Sequence, residues 1–212
     1  MNAPQARRIP WDAGALVLSM IVFGFGTQRA EWRWASCASL AVAGWIVARW
    51  GVAVPEAPAL FGLRLRCGRF LPKLLLSLAV GAVLAIAFHA YRGWDWLPRG
   101  LTWFAVIAAL IGAAEELIYR GYVYGRMRAW GALCAVATAA AGHTLYKCAL
   151  FALASSLAEL LFLAGATFLA GLLFGLMRER LGSTVFPLAA HAAFDVLVYG
   201  AWAGAPWWVW RM

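Results

Sequence analysis

Ala113-Ala114-Glu115-Glu116-Leu117-Ile118-Tyr119-Arg120-Gly121-Tyr122 sets two adjacent acids and an arginine inside what otherwise reads as a membrane-spanning helix. A carboxylate at that depth costs about 2.5 to 3.5 kcal/mol on insertion scales, so it marks a functional position and calls for a partner. Residues four apart share a helix face, which places Glu116 under Arg120 and leaves Glu115 facing about 100° away. Glu116 is read as neutralised and Glu115 as free.

Working outward, the surrounding chain is 65% hydrophobic and only 13% charged, with a mean hydropathy of +0.77. That lies beyond the apolar content of soluble domains and predicts an all-α, polytopic transmembrane helix bundle. The net charge of +9 does not point to nucleic acid, because the basic residues sit in short clusters between apolar runs and no basic stripe interleaves with aromatics. Cys37, Cys67, Cys134 and Cys148 show no CxxC spacing, which argues against a disulfide framework or a thiolate metal site. Tryptophans gather at run ends, as in Trp32/Trp34, Trp94/Trp96 and Trp207/Trp208/Trp210, the pattern of interfacial belts.

About seven spans are expected, with six to eight as the range. Arg7 and Arg8 precede a run from about Ala13 to Thr27, read as a retained first helix and not a cleaved signal peptide, since no small-residue cleavage site follows. Further spans cover about Trp34 to Trp50, Leu74 to Tyr91, Leu101 to Arg126, Gly131 to Leu153, Leu157 to Met177 and Ser183 to Trp202. Between the second and third, Pro55 to Lys73 carries Arg64, Arg66 and Arg69 and reads as interfacial. Gly121/Gly125 and Gly171/Gly175 are spaced for close helix contact. No repeat or long linker divides residues 1–212, so a single integral membrane domain is expected. With the N-terminus inside, eleven basic residues fall on inner segments against five outside (Arg29, Arg33, Arg92, Arg99 and Arg211), which sets the orientation.

Three later polar residues sit in apolar runs: His143 in the fifth span, and His191 and Asp195, four apart, in the seventh. Counted from the proposed inner ends at about 1.5 Å per residue, Glu115 lies roughly 16 Å deep, His143 roughly 18 Å and His191 roughly 12 Å. A shared polar pocket in the inner half of the membrane is geometrically feasible. A carboxylate beside a neutral imidazole can deprotonate a water, and a second histidine with a hydrogen-bond donor can stabilise an oxyanion. His143 taken alone reads as a core histidine, and the constellation reverses that reading. Lys147 is expected to snorkel to the outer interface, His89 to be interfacial, and Ser183 to cap the seventh helix.

Glu115-Glu116-x-x-x-Arg120-Gly121, a single His143 on the next helix, His191-x-x-x-Asp195 and Gly171-Leu172-Leu173-Phe174-Gly175-Leu176-Met177 together resemble the CAAX prenyl protease and bacteriocin-processing (CPBP, or Abi) family of intramembrane glutamic proteases. The resemblance covers about Leu101 to Val198. It implies a protease core there in which Glu115 and His143 activate water, His191 and Asp195 line the oxyanion side, and Glu116 and Arg120 support the first motif. It departs from the family pattern at Ala139, where phenylalanine is usual, and at Asp195, where asparagine is common. Asp195 donates to an oxyanion only when protonated, and orienting His191 is its other reading.

The expected function is therefore an intramembrane endopeptidase with a Glu/His-activated water and no cofactor. Its partners would be the lipid bilayer and a membrane-associated peptide or protein, with a C-terminal sorting tail or a lipid modification among the substrate types. The short chain and its arginine-over-lysine bias suit a bacterial inner membrane with the N-terminus cytoplasmic. One alternative makes Glu115, His143 and His191 ligands of a zinc ion in a CAAX-type membrane protease, although no HExxH pair is present. Another is a non-catalytic scaffold, immunity or transport protein whose buried charges line a solute path.

Overall fold

The computed structural model describes residues 10–65 and 68–201. Arg7, Arg8, Arg66, Cys67, Trp202, Trp207, Trp208, Trp210 and Arg211 lie outside the described residues. Every regular element among those described is helical. In chain order they include α1 (Trp11–Gly26), α2 (Arg33–Val47), α3 (Ala57–Leu60), α4 (Phe70–Arg92), α5 (Phe104–Glu116), α6 (Tyr124–Met127), α7 (Ala132–Phe151), α8 (Leu157–Leu181) and α9 (Val185–Tyr199).

Local chemistry sets several of these boundaries. Ser156 opens α8 with a capping box: its hydroxyl accepts from the Glu159 amide while the Glu159 carboxylate accepts from the Ser156 amide. Gly182 closes α8 in the left-handed conformation (φ 82°) that glycine adopts without strain. The rod carrying the glutamates begins at Phe104, not Leu101, and is not regular. It leaves the α-helical path at Glu116, passes through a π-helical segment at Leu117–Val123 and resumes as α6. Wider π turns recur at functional sites because they rotate the following side chains off the α-helical register.

Three helical segments, Ala30–Val52, Phe70–Arg92 and Leu157–Leu181, are long and apolar enough to cross a membrane, while Trp11–Gly26 and Val185–Tyr199 are shorter apolar helices. The expectation of about seven spans therefore reaches further than helix length and composition establish. Outward faces carry Leu75, Leu76 and Val83 on α4 and Leu161 and Leu169 on α8, each more than half exposed. Such faces are liabilities in water and are the natural surface of a helix in lipid.

Packing runs from α2 to α1, α1 to α7, α7 to α8, and α9 against both α4 and α5. The main core joins Leu16 and Met20, Ile46, Phe61, Tyr119, Tyr122, Val136, Ala139 and Tyr146; Ala139 is fully buried in it. Gly171 lets α8 approach α7, since a Cβ there would lie 3.0 Å from the Ala140 methyl and from Arg120 Nη2. Gly121 and Gly125 admit the short helix α3: their faces receive Phe61 and Leu60 from its end. Ser183 does meet the start of α9, accepting from the Val185 amide at 3.2 Å while donating to the Gly62 carbonyl at 2.8 Å. His89, in the last turn of α4, is buried, with Nδ1 against the Asp95 carbonyl and its ring edge-on to Trp94.

Candidate active site

Three rods converge where the sequence places its intramembrane acids and imidazoles. The end of α5 and the π segment supply Glu115, Glu116 and Arg120, the middle of α7 supplies His143 and Lys147, and α9 supplies His191 and Asp195. Apart from Lys147, each of these side chains is at least nine-tenths buried.

Arg120 is the hub. Its Nη1 donates to Glu116 Oε1 at 2.9 Å and to His143 Nδ1 at 2.8 Å. Arginine has no acceptor, so Nδ1 of His143 must be the accepting nitrogen and the ring proton sits on Nε2. That N–H points at Glu115 Oε2, 3.1 Å away, and donates to it. Ring orientation is fixed further by Tyr119, stacked on His143 with centroids 4.7 Å apart.

Glu116 does more than neutralise Arg120. Oε1 also lies 2.8 Å from His191 Nδ1, which donates to it, so this carboxylate links α5 to α9. Asp195 is the orienter of His191 that the sequence suggests, but its Oδ2 lies 3.7 Å from Nε2, too long for a direct hydrogen bond. Glu116 holds the ring, and Nε2 is left facing both Asp195 Oδ2 and Glu115 Oε2, each at 3.7 Å.

The main departure from the sequence reading is Lys147. It does not snorkel outward; Nζ donates to Glu115 Oε1 at 2.6 Å. Glu115 thus has a cation after all, from the neighbouring helix, and its two oxygens are divided: Oε1 holds Lys147 and Oε2 faces the two imidazoles. The signal available is that Lys147 lies four residues from His143 and shares its face.

A further buried acid, Asp12, stands one residue before the expected start of the first apolar run, where a charge attracts no attention. Tyr122 donates to Asp12 Oδ2 at 2.5 Å and Arg126 Nη2 to Oδ1 at 2.9 Å, tying α1 to the rod that carries the glutamates.

The alternative zinc set of Glu115, His143 and His191 fails on donor chemistry. A zinc ligand needs an imidazole lone pair at about 2.0–2.1 Å, whereas the Arg120 bond puts the proton of His143 on the nitrogen that faces Glu115. Among the described residues no group of three or more His, Cys, Asp or Glu side chains has the geometry to hold a metal ion. Cys37, Cys134 and Cys148 are free thiols.

The fold and this cluster define a class: a helical membrane protein with a carboxylate and two imidazoles facing one another in its interior. Residues 96–197, just under half of the chain, match the family model described as Type II CAAX prenyl endopeptidase Rce1-like. Over that segment the chain is similar to this family of membrane endopeptidases. No curated protein and no solved structure matches the chain.

Proposed function

We propose that the protein is a glutamic-type intramembrane endopeptidase in which Glu115 activates the attacking water. The observation that carries this reading is the division of the Glu115 carboxylate. Lys147 occupies Oε1, while Oε2 remains beside His143 Nε2 at 3.1 Å and His191 Nε2 at 3.7 Å. A water set to one side of this 3.7 Å gap can bond both Oε2 and His191 Nε2, which are too far apart to bond each other.

One proton of that water passes to Glu115 Oε2 as its oxygen bonds to the scissile carbonyl carbon. The carbon–nitrogen bond then breaks, and Glu115 returns the proton to the leaving nitrogen. His143 holds the base through its Nε2–H. His191 and Asp195 face the carbonyl oxygen, and Asp195 stabilises the oxyanion as a donor when it carries its proton. Glu116 and Arg120 act as positioning residues, through His191 and His143 respectively.

The substrate in this reading is a membrane-associated bacterial peptide or protein, cut in a C-terminal tail or at a lipidated end. The chain lies in the inner membrane as a single domain with its N-terminus cytoplasmic, consistent with the clustering of arginines on one set of connections. Terminal-peptide proteomics on membranes of cells expressing wild type or His143→Ala at matched levels tests the function whichever protein is cut. At least one membrane-anchored protein is expected to lose a terminal segment in the wild type and to keep it in the variant. Identical profiles would sink the proposal.

Lys147 carries its own prediction. Lys147→Met is expected to lower kcat about 10- to 100-fold with KM nearly unchanged, because the ammonium touches the base and leaves substrate-binding surface intact. Lys147→Arg should recover part of the loss by restoring a cation. A variant whose KM rises while kcat holds would place Lys147 in substrate binding instead.

A further inference from the structure

A second charged site lies where the α3–α4 connection meets the end of α8, built from residues that the proposed chemistry does not use. A cavity of about 500 Å³ is lined by Arg64, Lys73, Arg178, Arg180, Glu179 and Gly62, among others. That volume falls within the range of about 300–1,000 Å³ usual for sites of small organic ligands. Its one acid is already engaged: Glu179 accepts from Arg128 Nη2 at 2.7 Å and Nε at 3.0 Å, and from the Tyr124 hydroxyl. Among the described residues, none of the four cations forms an ion pair with a carboxylate.

The site is braced. Gly62 sits at φ +66° with Arg178 packed so closely that a Cβ would lie 2.0 Å from its Nη2. The Gly62 carbonyl is held by Ser183 Oγ at 2.8 Å and by the Thr184 amide at 2.9 Å, which pins the connection to the start of α9. The Arg178 guanidinium lies 5.3 Å from the Tyr124 ring centroid, and its buried Nε has no hydrogen-bond partner. Lys73 Nζ is turned into the same corner by the Leu181 carbonyl at 3.1 Å. Four cations held this near one another without a carboxylate partner repel, and an anion between them relieves that repulsion.

Apolar surface leads away from the cavity on two sides. Leu71 and Leu75 flank Lys73 on α4, and Leu173 and Leu176 precede Arg180 on α8, all of them exposed. A ligand that fills both surfaces has a negative head and hydrocarbon chains.

We propose that this cavity binds the phosphate headgroup of an anionic glycerophospholipid, with its acyl chains along α4 and α8. The test uses the full chain in nanodiscs of equal parts phosphatidylglycerol and phosphatidylcholine, followed by native mass spectrometry of the released complex. Wild type is expected to retain phosphatidylglycerol in preference to phosphatidylcholine. Arg64→Gln combined with Arg180→Gln, two exposed positions whose change leaves the fold intact, should weaken that retention by about 25-fold, at about fivefold for each cation removed. Thermal melting of the double variant in detergent, expected at the wild-type temperature, separates lost binding from lost folding. No lipid preference in the wild type, or unchanged retention in the double variant, would overturn the proposal. Millimolar inorganic phosphate displacing phosphatidylglycerol from the wild type would also overturn it, since that outcome assigns the site to free phosphate.

Discussion

Glu115→Gln is expected to lower turnover about 10³-fold or more while the protein still inserts and folds. Glutamine matches glutamate in size but cannot take a proton at neutral pH, so the water between positions 115 and 191 loses its base; general-base contributions of about 10²–10⁴ set the scale. Only one of its two terminal atoms accepts, yet Lys147 and His143 both donate to this side chain. The amide therefore leaves one donor without its acceptor, and a stability loss of about 1–3 kcal/mol accompanies the catalytic one. Thermal melting must be measured beside cleavage to keep the two apart. Glu115→Asp supplies the contrast: the charge and both acceptors remain while the carboxylate retreats by one methylene, so stability should largely return and activity should not, because position decides general-base efficiency. Cleavage within about tenfold of wild type in a stably inserted Glu115→Gln protein would reduce Glu115 to a structural partner of Lys147.

What is legible in the sequence is set by interactions along a single helix. Apolar runs locate α1, α2, α4, α7 and α8 to within a few residues, since lipid-facing surface demands long apolar segments whatever their neighbours. The i,i+4 rule pairs Glu116 with Arg120, and the 2.9 Å contact is present. The same rule stops short at His191. It correctly puts Asp195 on the same face, but the ring nitrogen that needs a partner is held by Glu116 from another helix. Lys147 escapes it for the same reason. Snorkelling to the interface is the default for a lysine near a helix end, and only the approach of α5 to α7 supplies a buried carboxylate within reach. The π segment is not legible because five successive buried residues, Tyr119 to Val123, carry no regular period in hydropathy. Span count meets a similar limit: the charges that make the fourth rod a candidate active site are the ones that remove it from the set of uniformly apolar helices.

Arg120→Leu is expected to be the most damaging single change to the fold. Arg120 is fully buried, with Nη1 shared between Glu116 and His143 and its guanidinium 5.6 Å from the Phe174 ring centroid. Leucine fills part of the space but leaves the Glu116 carboxylate in the interior with only the His191 N–H to stabilise it. Breaking a buried pair on one side costs about 3–5 kcal/mol, a large share of a typical total stability of about 5–15 kcal/mol. A drop in melting temperature of about 10 °C or more follows for a chain of this size, with reduced accumulation in the membrane. The double variant Glu116→Gln with Arg120→Leu separates charge from shape. Removing both charges should recover most of the lost stability, because no uncompensated ion remains, and the double-mutant cycle then measures the coupling. Activity should stay low in the double variant. Without the Arg120 donor, His143 loses the contact that anchors Nδ1, and the ring that bonds the Glu115 carboxylate through Nε2–H is held less firmly. Full activity in a stable double variant would show that the Arg120 contact to His143 has no part in the chemistry. A wild-type melting temperature in Arg120→Leu alone would show that Glu116 is not charged in the folded protein.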